Sequence, residues 1–141
     1  MPAAAPPELS RPNAVVVGVD GSAASIAALD WAVAEAARDA RALHVVVAHE
    51  RPPRAPYAPP VAEPEEAEVE HLVDSVRPHL QGSRADLVVR EGRLEQVLLR
   101  ESAGAGLLVV GREEAEGEIG SLARTCVSRA QCAVVVITSG V

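Results

Sequence analysis

Residues able to do chemistry cluster at two places in this chain. Asp20-Gly21-Ser22 follows the valine-rich run Ala14-Val15-Val16-Val17-Gly18-Val19, and Gly120-Ser121 follows a glutamate-rich stretch that begins after Gly111. A carboxylate at a strand end can accept hydrogen bonds from a ligand or from the N–H groups of its own turn. A glycine-serine pair at the start of a helix can hold an anion or simply cap the helix. The plain turn and the plain cap are the readings favoured here. The four histidines, His44, His49, His71 and His79, are not brought near a carboxylate by any local spacing and read as structural or solvated. Cys126 and Cys132 lack metal-ligand spacing with any histidine and read as small core residues.

Other chemistries lack their residues. A nucleophilic hydrolase needs G-x-S-x-G, which does not occur. Gly18-Val19-Asp20-Gly21 does not supply the G-x-G-x-x-G of a dinucleotide enzyme. A phosphoacceptor receiver domain needs paired acids after its first strand, an Asp after its third and a Lys after its fifth. Here the third strand ends in Arg90-Glu91, and Lys is absent from the chain.

The elements that position these residues follow from periodicity. Short continuous β-branched runs suit strands buried on both faces of a parallel sheet. Such runs occur at residues 14–19, 43–48, 86–90, 107–110 and 133–138. Helical spacing of apolar residues predicts helices over 23–40, 65–80, 94–102 and 122–130, with Ser22 as the N-cap of the first. Residues 1–13 form a proline-rich tail ahead of one domain over 14–141, and the prolines of 50–64 predict an extended connection. Strands alternating with helices give an open five-stranded α/β sandwich with right-handed crossovers. Ligands in such sheets bind beyond the carboxyl ends of the strands, where the strand order reverses. That places any site at Asp20-Gly21-Ser22 and at Gly111 to Ser121.

Composition narrows the class further. The chain has 141 residues, is 48% hydrophobic and 23% charged, and carries a net charge of −7, so it is a globular domain without a broad phosphate-binding footprint. Trp31 and Tyr57 are the whole aromatic complement, too few for a base-stacking surface, and no nucleic-acid partner is expected. No apolar run approaches the ~20 residues of a membrane span, and the first residues do not read as a signal peptide. With two cysteines a disulfide scaffold is not expected, and a cytoplasmic location is.

Three features together resemble the universal stress protein family. They are Val17-Gly18-Val19-Asp20-Gly21-Ser22 with Ser25 and an alanine-rich helix; Glu91-Gly92, a helix, then Leu107 to Gly111; and Gly120-Ser121 followed by Ala130-Gln131-Cys132-Ala133 and a valine-rich last strand. The resemblance covers about residues 14–138. It implies strand order 3-2-1-4-5 and a non-enzymatic stress-response or regulatory role. It also implies a homodimer through the C-terminal strand, whose run Val134-Val135-Val136-Ile137 lies at a sheet edge without a blunting Lys or Pro.

Many members bind ATP. Their loop after strand four has Gly, two residues, Gly, nine residues, then Gly-Ser or Gly-Thr, and the member's Asp after strand one contacts the nucleoside. By that resemblance the remnant cofactor site is Asp20, Gly111, Gly120 and Ser121. The departures are substantial. Glu114 stands at the second glycine, eight residues rather than twelve separate Gly111 from Gly120, and Glu50 falls where members put an apolar residue against adenine. The loop carries four glutamates and one arginine. Like charges ~7 Å apart in water repel by about 0.6 kcal/mol per pair. Against a triphosphate of charge about −4 this sums to ~7 kcal/mol, of which salt leaves ~3, on the order of a hundredfold in affinity. The expectation is that no cofactor is held and that ATP is not bound in the family's usual way. The alternative is a nucleotide-binding regulator with a remodelled pocket at the ends of strands one and four.

Overall fold

The computed structural model describes residues 13–50, 64–113 and 121–139. Residues 1–12 of the predicted tail, 51–63 of the proline-rich connection and 114–120 of the glutamate-rich loop lie outside the described residues. Five strands, β1 (Val15–Val19), β2 (Leu43–His49), β3 (Ala85–Glu91), β4 (Leu107–Glu113) and β5 (Ala133–Ser139), form one sheet of order β3-β2-β1-β4-β5. All neighbours pair in parallel. The helices are α1 (Ala23–Arg38), α2 (Pro64–Val76), α3 (Leu94–Glu101) and α4 (Ser121–Arg129). The expected doubly wound α/β sandwich is therefore the fold.

Strand side chains alternate between two cores. Val15, Val17 and Val19 of β1, with Val45 and Val47 of β2 and Val109 of β4, pack against Ala28, Leu29 and Ala32 of α1 and Val76 of α2. Val16, Val46, Leu108 and Val110 face the other way, onto Val97 and Leu98 of α3 and Ala123 and Cys126 of α4. Every residue of β1 is buried, as a central strand covered on both faces requires. Each fully buried Val or Leu contributes about 1.5–3 kcal/mol of transfer free energy. The edge strands β3 and β5 are only partly covered.

Two boundaries differ from the sequence reading. The helix expected over 65–80 ends at Val76 and tightens into a 3₁₀ turn over Arg77–Leu80. Pro78 is the cause: it lacks an N–H, and its ring crowds the preceding turn. The sequence predicts that β4 ends in Gly111, with a polar loop after it. It continues to Glu113, with Gly111 opposite Ile137 and Arg112 opposite Thr138.

Candidate functional site at the carboxyl ends of the central strands

The turn from β1 into α1 is held by its own side chains. The Ser22 N–H donates to Asp20 Oδ1 at 2.9 Å, and the Ser25 N–H donates to Ser22 Oγ at 3.1 Å, so Ser22 is the N-cap that the sequence predicts. The Ser25 hydroxyl donates to the Ser22 carbonyl at 3.0 Å and accepts from the Asp20 N–H at 3.2 Å. Gly21 closes the turn at φ +87°, a conformation that costs glycine little. Burial works against ionisation of Asp20, but hydrogen bonds from Ser22 and Ser25 outweigh it and hold the carboxyl below its usual range. Asp20 thus keeps its negative charge at neutral pH while serving the turn.

Gly111 lies behind this turn. A Cβ built on it would stand 2.3 Å from the Ala24 carbonyl oxygen and 2.8 Å from the Ser25 nitrogen. The first turn of α1 therefore rests directly on the β4 backbone, and close packing demands a glycine there. The structure brings Asp20 and Gly111 to the same strand ends through Ala24 and Ser25. Ser121 is the exposed first residue of α4.

A cavity of about 540 Å³ opens beside Asp20 and Gly21. Its second wall is Ala48, His49 and Glu50 at the end of β2, and its third is the α2 face bearing Glu68, Val69, His71, Leu72 and Ser75. Three carboxylates and two histidines line it, and among the described residues no Lys or Arg does. Glu50 is 3.6 Å from Arg93, an ion pair with both side chains about two-thirds exposed, so the pair is weak. The sequence reading pointed to the ends of strands one and four and, through the family resemblance, to Glu50 after strand two. The β2 end and α2 complete the wall, because β2 is the other hydrogen-bonded neighbour of β1. His49 and His71 join the candidate site through this packing, and local spacing carried no signal for them.

Two histidines do meet carboxylates, contrary to the sequence reading. His44 Nε2 lies 3.2 Å from Glu101 Oε2, and Arg90 Nε donates to Glu101 Oε1 at 2.8 Å. His79 Nδ1 lies 2.7 Å from Asp30 Oδ1. These partners are 57 and 49 residues apart in sequence, beyond the reach of any local pattern. The His44 cluster lies on the α3 face of the sheet and ties β2 and β3 to α3. Burial pushes the Glu101 carboxyl up, but Arg90 and His44 outweigh it and leave the group below its ordinary value. Cys126 is buried in the α3/α4 core, and burial first, then Glu95 and Cys132, push its thiol up to about 11. That position makes it a packing residue.

Among the described residues no group of three or more His, Cys, Asp or Glu has metal-binding geometry, and no helix is long and apolar enough to cross a membrane.

Comparison with known proteins places this geometry in a family. The universal stress protein family profile matches residues 13–138. No curated protein matches the chain. Among solved structures, the universal stress protein UspA from Lactobacillus plantarum is 25% identical with a TM-score of 0.78, covering 90% of this chain and 98% of its own. A universal stress protein solved in complex with cAMP is 23% identical with a TM-score of 0.65, covering 91% of this chain and 98% of its own. The universal stress protein from Archaeoglobus fulgidus in complex with dAMP is 19% identical with a TM-score of 0.67, covering 89% and 97%. The profile match over nearly the whole chain, with the 3-2-1-4-5 sheet and the Asp20 turn at its centre, shows that this chain belongs to the universal stress protein family.

Proposed function

We propose that the chain is a non-enzymatic, cytoplasmic stress-response or regulatory domain that does not hold ATP in the family's usual way. The observation that carries this reading is the charge of the site. Among the described residues Asp20, Glu50 and Glu68 line the cavity without a lining cation, and the sequence adds four glutamates and one arginine between Gly111 and Gly120. A polyphosphate entering here meets the like charge of those three carboxylates. We further propose that the domain acts through protein contacts as a homodimer paired along β5. Its partly covered residues Val134 to Ile137 offer an unblunted edge. Calorimetric titration with Mg-ATP at physiological salt tests the site. The expected result is no saturation up to about 1 mM. A low-micromolar constant, or one nucleotide co-purifying per chain, overturns it.

The second reading is a regulator that binds a nucleotide with fewer phosphates in a remodelled pocket. The cavity beside an ionised Asp20 supports it, together with the shared fold of universal stress proteins solved with cAMP and dAMP. Titration with AMP and cAMP separates the two. Micromolar binding that Asp20→Asn weakens supports the second reading, and silence for both nucleotides supports the first.

A further inference from the structure

We propose that a second cavity, at the opposite end of the sheet, binds a small amphipathic carboxylate. It lies where α1 ends and β2 and β3 begin, as far from Asp20 as the strands allow. Its volume is about 560 Å³, within the 300–1,000 Å³ usual for small-molecule sites. The floor is apolar: Val33 and Ala36 of α1 and Leu43 of β2. Two guanidinium groups, Arg41 and Arg84, stand at the lining against one carboxylate, Asp86. In a chain of net charge −7, that local balance is reversed in sign.

The two arginines have donors to spare. Arg41 gives its Nε–H to the Asn13 carbonyl, which fixes the side chain and leaves its terminal nitrogens without a partner among the described residues. Arg84 has no hydrogen-bond or ion-pair partner among the described residues and is exposed. Arg38, Arg77, Arg90 and Arg93, by contrast, are each paired with a carboxylate. A guanidinium fork matches a carboxylate with two parallel hydrogen bonds, which selects a planar anion over a neutral head group.

The end of α1 shapes the rim. Ala40 takes φ +53°, a left-handed conformation that is unfavourable for alanine. It ends α1 sharply, and the Arg41 N–H then closes on the Ala36 carbonyl at 2.8 Å. That turn sets Arg41 beside the apolar floor. Across the opening, nothing lies within 4 Å of a Cβ built on Gly82, so the mouth stays clear. An apolar floor under two available guanidinium groups fits a ligand with a hydrocarbon body and one terminal carboxylate.

Octanoate is the probe. The full chain, labelled with ¹⁵N, is titrated at physiological salt and followed by amide chemical shifts. The expected result is saturable binding with a Kd below about 1 mM. Shifts should concentrate at residues 36–43 and 82–86 while Asp20 and His49 stay still. Arg84→Gln changes an exposed side chain that has no partner among the described residues, so it keeps the fold and should weaken binding about tenfold. Octan-1-ol, which keeps the chain and loses the charge, should bind about tenfold more weakly than octanoate. The proposal is overturned by shifts that never saturate, by saturation that maps to other residues, or by unchanged affinity in Arg84→Gln. Displacement of octanoate by an equal concentration of inorganic phosphate also overturns it, because the apolar floor would then contribute nothing.

Discussion

Replacing Gly111 with alanine tests whether that glycine is required by packing or by a ligand. The added methyl would sit 2.3 Å from the Ala24 carbonyl oxygen, 2.4 Å from its carbon and 2.8 Å from the Ser25 nitrogen. Normal contacts between such atoms are about 3.5 Å or more, so α1 must retreat by roughly 1 Å. All three clashing atoms are backbone, and no rotamer change relieves them. Overpacking of this kind costs about 1–3 kcal/mol. The retreat also stretches the bonds from Ser25 to Ser22 and Asp20, which are 3.0–3.2 Å long, and a weakened cap adds about 1 kcal/mol. Reduced freedom of the unfolded chain returns about 0.5–1 kcal/mol. The net expectation is a loss of about 1–3.5 kcal/mol, or roughly 4–14 °C in Tm. Gly18→Ala is the control. Its methyl would meet Leu98 Cδ1 at 2.5 Å, Cδ2 at 2.9 Å and Cγ at 3.1 Å; these are side-chain rather than backbone atoms, but Leu98 is fully buried, so its repacking relieves the clash only in part and the net loss should be about 1–2 kcal/mol. Urea unfolding followed by circular dichroism measures both. If Gly111→Ala is within about 0.5 kcal/mol of the parent, or no worse than Gly18→Ala, the packing account fails and the glycine must be explained by a ligand.

Further outcomes follow from the same geometry. Ala40→Gly should stabilise the chain by about 1 kcal/mol, because glycine relieves the φ +53° strain at the end of α1; thermal unfolding reads the gain. Glu101→Ala should cost about 2–3 kcal/mol, since it strips the buried His44 of its partner and releases Arg90; chemical denaturation measures it. The folded Glu101 carboxyl lies below its ordinary 4.5, so its contribution is full above that value and is lost as pH falls through the lower folded one. Acid unfolding of Glu101→Gln should therefore depend less on pH over that interval than unfolding of the parent does. Val135→Lys places a charge in the middle of β5 and should lower the mass found by light scattering from a dimer's to 14.6 kDa; a parent already at 14.6 kDa refutes the β5 dimer.

Sequence alone determined the repeating architecture of this protein. Val15 to Val19 is unbroken because a central parallel strand is buried on both faces, and that demand is written into consecutive residues. The Ser22 cap was legible because a cap acts over three residues. The motif order that resembles universal stress proteins was legible for a similar reason: each turn at a strand end needs its own local residue types. Tertiary structure decided everything that depends on residues far apart in the chain. Gly111 read as a strand end matching the first position of the family's phosphate loop, because no local pattern reports that the backbone at Ala24 lies against it. The wall that α2 adds beside Asp20 arises because β1 lies between β2 and β4 in the sheet. His44 and Glu101 meet only because an α-helix returns across the strand that bears the histidine. Local sequence records what each residue requires of its immediate chain neighbours, whereas charge pairing and close approach between elements are set by the fold that brings them together.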